Sequence, residues 1–390
     1  MMAAPDFKSG PSRRAQEITP FLVMDILERA KELERQGQRV IHLEIGEPDF
    51  CTPAVIREAA YRAIAAGETQ YTHSQGLMEL REALSRHYLE KYRVRVEPSQ
   101  FIITSGTSPA MVLIFGGLLD AGDEVLLPAI HYACYPNVLK LVDAVPRYVP
   151  VKEEDGFQPH PQEVARQLTG RTKAVLINSP GNPSGTLLSP AHLARLAELG
   201  PYIISDEIYH GLVYEGREHS ILEFTDRAFV INGFSKLYAM TGWRLGYLIA
   251  PPDFVRPLQK LMQNFFISAN SFVQRAGIAA LTQAGGEIAE MRATYDTRRR
   301  FLLAGLKDLG FKIPVPPTGA FYIFVNARHL SDDSYSLAFD ILEQAGVGVA
   351  PGVDFGPGGE GFLRFSYANS LENLAAALGR LARYVRVRQK

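Results

Sequence analysis

The chain has little cysteine, almost no charge imbalance and no long apolar run. Only Cys51 and Cys134 occur in 390 residues. They are too few and too far apart for a disulfide framework or a cysteine metal cluster, so a reducing compartment suits the chain. Lysine and arginine number 41 against 42 aspartate and glutamate, a formal net charge of -1. That balance offers no general attraction to nucleic acid or to an acidic membrane. The longest apolar stretch, Ala110–Leu119, is far too short to span a bilayer. Met1 to Arg14 holds no apolar core of the kind a secretory leader needs. No repeat or low-complexity tract stands out. These absences lead to the expectation of a soluble, cytoplasmic protein.

What is present suits a large globular enzyme, with 46% hydrophobic and 21% charged residues and enough length for two domains. Short β-rich runs alternate with helical segments from about Phe101 to Pro251. The expected strands are Phe101–Thr104, Glu124–Leu127, Arg147–Val151, Ala174–Asn178, Tyr202–Ser205, Ala228–Ile231 and Leu245–Ala250. Such a pattern predicts a mostly parallel sheet covered on both faces, with chemistry at the carboxyl ends of the strands. Leu22–Gln36 reads as an amphipathic helix started by Thr19 and Pro20, and Pro257–Ala284 as one long helical segment. Met78–Tyr88, Ser336–Ala345 and Leu371–Val385 also read as helices, and Ala320–Asn326 and Leu363–Tyr367 as strands.

Several segments at strand ends carry reactive residues. Ser235 and Lys236 follow the apolar run Ala228–Ile231, with Arg244 close behind. A lysine leaving a buried strand can aim its amine into a cleft and react with an aldehyde cofactor, while Ser235 and Arg244 hold a phosphate. The bland alternative is a solvated turn. Ser105, Gly106, Thr107 and Ser108 lie between a strand and a helix, as a phosphate loop or merely a helix cap. Asn182 sits in a turn-rich loop, Asn178 to Gly185, after another strand. Asp206 ends the Tyr202–Ser205 strand, with Tyr209 three residues on. A buried aspartate needs a positive partner, or else it caps a helix beside a packing tyrosine. Tyr132 lies beyond the second strand, and Arg364 occupies an apolar C-terminal strand, where it could grip a carboxylate or form a structural salt bridge.

Together with the segments Gly46–Phe50 and Tyr71–Gly76, this order of motifs resembles the class I/II aminotransferases, the fold type I enzymes of pyridoxal 5′-phosphate (PLP). The resemblance runs from the Pro20–Leu27 arm to Arg364. It implies an α/β fold with a large PLP-binding domain, 51–285, around a mostly parallel seven-stranded sheet. A small α/β domain would come from both termini, 1–50 and 286–390. By resemblance Lys236 bonds the cofactor, Asp206 meets its ring nitrogen, and Asn182 and Tyr209 meet its phenolic oxygen. Tyr132 stacks on the ring, while Ser105 to Ser108, Ser235 and Arg244 anchor the phosphate. Arg364 and Gly46 orient the substrate α-carboxylate, and Phe21 and Tyr322 line the side-chain pocket. Tyr71 would reach the phosphate of the neighbouring subunit, and Asn264–Asn270 its substrate pocket, making a homodimer with shared active sites.

The implied reaction is transfer of an α-amino group between an amino acid and a 2-oxo acid. Aspartate-preferring relatives grip a second carboxylate with an arginine near the Asn264 position or a lysine at the Ser108 position. Neither is present here, so a neutral or aromatic donor is expected unless Arg275 or another basic group substitutes. The alternative is a PLP-dependent lyase on the same fold, such as a carbon–sulfur β-lyase or an aminocyclopropane-carboxylate synthase-like enzyme. A non-catalytic regulator is disfavoured, because Lys236 is present and the helical arm begins by about Pro20.

Overall fold

The computed structural model describes residues 10–388, so residues 1–9 of the stretch read above for a leader, and the last two of the chain, lie outside it. Twelve strands occur among the described residues: β1 (Ile41–His42), β2 (Phe101–Thr104), β3 (Glu124–Pro128), β4 (Val145–Val149), β5 (Thr172–Asn178), β6 (Tyr202–Asp206), β7 (Ala228–Gly233), β8 (Gly246–Ile249), β9 (Tyr322–Asn326), β10 (Val347–Gly348), β11 (Ala350–Pro351) and β12 (Phe362–Ser366). The large sheet has the order β2-β8-β7-β6-β5-β3-β4. Strand β8 runs antiparallel to both neighbours, and the β3, β4, β5, β6 and β7 pairs are parallel. The carboxyl ends of six strands therefore open on one side.

Successive residues of the central strands enter opposite cores, the two-residue period of a sheet buried on both faces. Phe101, Ile103, Ile203, Val230, Tyr247 and Ile249 belong to one core, while Ile102, Ile204, Phe229, Ile231 and Leu248 belong to the other. A third core joins the helix Leu22–Arg35 to the C-terminal elements. That helix buries Val23, Ile26, Ala30 and Leu33, the spacing of one helical face. There β9, β12 and β11 form an antiparallel sheet, and β1 pairs in parallel with β10. The chain thus lies in this layer from the helix Leu22–Arg35 through β1, and returns to it with the helix Gly285–Asp308.

Two expectations need correction. The Pro257–Ala284 segment is two helices, Pro252–Phe265 and Ser271–Gln283. They are broken where Ile267 adopts φ 66°. Tertiary contacts hold the break, since Thr72 N donates to Ser268 Oγ at 3.3 Å and Thr72 Oγ1 to Ala269 O at 3.4 Å. Local helix propensity carries no sign of them. The start of the Leu22–Arg35 helix is also not capped by Thr19, whose amide and hydroxyl donate to Asn137. Its first amides, Leu22 N and Val23 N, donate to the distant carboxylate of Asp354.

One backbone contact locks the large sheet to the loop after β2. A Cβ built on Gly246, the first residue of β8, would lie 2.7 Å from the carbonyl carbon of Gly106. Backbone atoms cannot yield as a flexible side chain can. Gly246→Ala is expected to cost about 1–3 kcal/mol of stability through overpacking. Urea denaturation of the purified variant checks this, and an unchanged midpoint would contradict it.

Candidate active site

Five strand ends deliver groups to a single cavity of about 310 Å³ between the large sheet and the C-terminal layer. Thr107 and Ser108 come from the loop after β2, Tyr132 from beyond β3 and Asn182 from beyond β5. Asp206 is the last residue of β6, and Ser235 and Lys236 follow β7. Arg364 of β12 and Tyr322 of β9 enter from the opposite layer, Gly46 and Phe21 from the N-terminal segment. Tyr209 and Arg244 complete the wall.

Ser105 and Gly106 do not line the cavity; Gly106 lies behind it, against Arg244. A Cβ on Gly106 would meet a guanidinium nitrogen of Arg244 at 2.4 Å, and its φ of 96° independently demands glycine. Gly106 precedes the helix Thr107–Leu118, whose start has no side-chain cap and no acidic residue in its first turn. Ser105 to Ser108 therefore do not act as a side-chain cap. The free amides of that first turn and its dipole face the cavity, a site suited to an anion. Tyr71 is 82% exposed and away from this cavity. None of residues 264–270 lines it either.

The electrostatics are unusual. Arg364 is 2% exposed, yet among the described residues no carboxylate lies within ion-pair distance of it. It donates through Nη1 to Asn182 Oδ1 at 2.9 Å and through Nη2 to the Glu44 carbonyl, and its Nε has no partner. Its guanidinium lies over the rings of Tyr322, at 4.3 Å, and Phe355, at 4.8 Å. The structural salt bridge considered for it from sequence is not there. Lys236 Nζ likewise has no carboxylate partner and donates to the Gly46 carbonyl at 2.6 Å. Burial lowers the Lys236 amine to about 8, helped by Arg364 and Arg244 and opposed by Glu47 and Asp206.

At the floor, burial pushes the Asp206 carboxyl up to about 6, against the hydrogen bond from Tyr135. Asp206 Oδ1 accepts from Ile208 N at 3.1 Å and Oδ2 from the Tyr135 hydroxyl at 2.7 Å. No helix begins there, so the cap reading fails. Tyr209 and Tyr322 bring their hydroxyl oxygens to 3.0 Å. The Asn182 loop is tied to the same strand end, with Asn178 Nδ2 donating to the Asp206 carbonyl and Asn182 N to Asn178 Oδ1. The sequence reading passed over Tyr135, Asn178 and the Thr241–Glu47 contact at the rim. Only the first carried a signal, as a second tyrosine three residues after Tyr132.

A poised amine, a buried acid and an uncapped helix start beside an arginine suit a ligand carrying an aldehyde, a ring cation and a phosphate. A second anionic group would fit Arg364. Comparison with known proteins agrees with that chemistry. The sequence model of the family "Aminotransferase class I and II" matches residues 38–381. A (5-formylfuran-3-yl)methyl phosphate transaminase of Methanocaldococcus jannaschii is 40% identical, the match covering 96% of this chain and 99% of that one. An aspartate/prephenate aminotransferase of Thermus thermophilus is 39% identical over 96% and 98%. A crystal structure from Methanococcus jannaschii, described as similar in its active site to kynurenine aminotransferases, superposes with a TM-score of 0.90 at 40% identity, covering 96% of this chain and 100% of that one. Thermus thermophilus aspartate aminotransferase with maleate gives 0.92 at 38%, over 96% and 100%. Likeness of that extent in both sequence and fold means that this chain belongs to the class I and II aminotransferases, PLP-dependent enzymes that move an amino group between an amino acid and a 2-oxo acid.

Proposed function

We propose that Lys236, Asp206 and Tyr209 are the catalytic groups of this transaminase and that it favours a neutral or aromatic amino donor. The observation that carries the assignment is the buried guanidinium of Arg364, unpaired with any carboxylate and facing the same cavity as Lys236 and Asp206. An uncompensated buried charge is costly, and a substrate α-carboxylate would supply the missing anion through the planar fork of Arg364. When bound, PLP supplies an aldehyde that joins amines and a protonated ring that draws electrons from the carbon being deprotonated. Lys236 would hold that aldehyde, and its Nζ, when free, would be the base for the proton of the substrate α-carbon. Its lowered proton affinity keeps a sizeable fraction uncharged near neutral pH.

Asp206 would meet the ring nitrogen and keep it protonated. Asn182 spends its oxygen on Arg364, which leaves its amide N–H groups for the phenolic oxygen, joined there by the Tyr209 hydroxyl. Tyr132 would cover the ring face. Thr107, Ser108, Ser235, Arg244 and the free amides of the first helical turn would bind the phosphate, with Ser105 and Gly106 shaping that loop. Gly46 accepts from Lys236 and stands beside Tyr322, whose hydroxyl occupies the space a Cβ there would need.

Substrate choice follows from the cations of the cavity. They are Lys236, Arg244 and Arg364, and each already has a task. Arg275 is paired with Glu68 at 2.6 Å and Glu79 at 3.0 Å, outside the cavity. Phe21, Val23, Met24, Ile45 and Tyr132 give the wall its apolar surface. A second carboxylate finds no partner from this chain.

The same proposal makes the enzyme a cytoplasmic homodimer with shared active sites. Its support is the exposed apolar surface of Tyr61, Ile64, Tyr71, Phe265 and Ile267 on adjoining elements. Among the described residues no helix is long and apolar enough to cross a membrane. The division into 51–285 and the joined pieces 1–50 and 286–390 is part of this proposal, supported by the separation of the sheets and their cores.

Mixing the PLP-loaded protein with single amino acids, without acceptor, tests the donor. Aromatic or neutral donors are expected to change the cofactor absorbance lastingly, with reversal by a 2-oxo acid, faster than aspartate does. Aspartate as the fastest donor would defeat the proposed preference, and release of ammonia would indicate a lyase. Arg364→Leu is expected to raise the apparent KM for the donor about 10- to 100-fold. An unchanged KM would make Arg364 structural. Only the uncharged amine captures an aldehyde, so uptake of PLP by the apoprotein is expected to quicken as pH rises through about 8. Stopped-flow absorbance checks this. A flat profile, or one still climbing at the ordinary lysine value of 10.5, would refute it, and Lys236→Ala should lose the phase altogether.

A further inference from the structure

Asp206 receives two protein hydrogen bonds of different origin. The bond from Ile208 N is local and forms in any tight turn of that shape. The bond from Tyr135 comes from the helix Cys134–Leu141, beyond a different strand. Tyr135 is 1% exposed, and among the described residues Asp206 is the only side chain its hydroxyl hydrogen-bonds. Its ring is fixed from two sides. Tyr132 packs edge-on at 5.5 Å, and His131 stacks at 6.5 Å with 23° between the planes. His131 is anchored in turn by its Nδ1 on the Pro128 carbonyl at 2.8 Å and by stacking on Tyr148 at 5.4 Å.

A phenylalanine would fill the same space among these rings without a buried polar atom to satisfy. The hydroxyl is therefore there for its partner. A phenol facing a buried carboxylate can only donate, and burial beside Asp206 keeps the Tyr135 proton in place.

We infer that Tyr135 is a positioning residue that keeps Asp206 ionised, so that the shared proton stays on the cofactor's ring nitrogen; this rests on the proposed role of Asp206. Two bases face that proton, the carboxylate and the ring nitrogen. A fixed donor on Oδ2 stabilises the carboxylate anion and weakens its pull on the proton. Without the donor Asp206 becomes the stronger base and draws the proton back, and the ring withdraws electrons less. Burial alone already drives Asp206 toward the protonated form, so the opposing hydrogen bond has something to correct.

The test uses the PLP-loaded enzyme carrying Tyr135→Phe, Asp206→Asn or both. It reads the PLP dissociation constant, the cofactor absorbance against pH, and the single-turnover rate with a good donor. Tyr135→Phe is expected to keep the melting temperature of the apoprotein and weaken PLP binding about 10-fold. It should slow the single turnover about 10- to 100-fold and leave the apparent affinity for the donor nearly unchanged. In the Asp206→Asn background the same change should add less than about twofold, because both act through one group. A general loss of packing would instead persist in that background, and multiplied effects would overturn the inference. So would a damaging Asp206→Asn beside an inert Tyr135→Phe with an unmoved pH titration. An inert Asp206→Asn would remove the assignment of Asp206 and the inference with it.

Discussion

The site depends on charge held out of water without its counter-charge. Arg364 is buried and meets only carbonyl and amide oxygens and aromatic faces, and Lys236 is half-buried with a backbone carbonyl as its acceptor. The fold tolerates this because the rest of the molecule supplies rigidity and apolar burial in quantity, with two continuous cores on the large sheet and a third in the C-terminal layer. An anionic ligand would lower this cost by pairing the buried cations.

The sheet topology determines which groups can meet. With β8 reversed and the rest running one way, the carboxyl ends open at the same edge, and five of them carry groups that line the cavity. The C-terminal layer then sets Arg364 and Tyr322 opposite that edge. The segment from β1 to Glu47 ties the two halves together. Its Glu44 carbonyl accepts from Arg364 and its Gly46 carbonyl from Lys236, so one short segment meets both buried cations.

Much of this was legible because strand ends are local features. An apolar run followed by a small residue and then a charged one marks the end of a buried strand, which is how Asp206 and Lys236 could be picked out. Arg364 was visible as a lone cation in an apolar strand, although whether it met a salt bridge or a ligand was open. Tyr135 was not legible as a functional group, because only its contact with Asp206, 71 positions away, distinguishes it from core filling. The break at residues 266–270 was invisible for the same reason, being held by Thr72 from a remote loop.

By itself the sequence determined the seven runs of the large sheet and two C-terminal strands, the helical face of Leu22–Arg35, and the reactive side chains at the strand ends. Period and composition are enough for these, since each depends on residues a few positions apart. Strands β1, β10 and β11 and the sheet order came only from the structure. Only the tertiary structure decided that these groups share one cavity, that Arg364 lacks a carboxylate partner, and that Gly106 yields its space to Arg244. The same holds for the first turn of the Thr107–Leu118 helix, which no side chain caps. Those outcomes depend on distances between residues far apart in the chain, and on which polar atoms find partners after packing, neither of which a local pattern encodes.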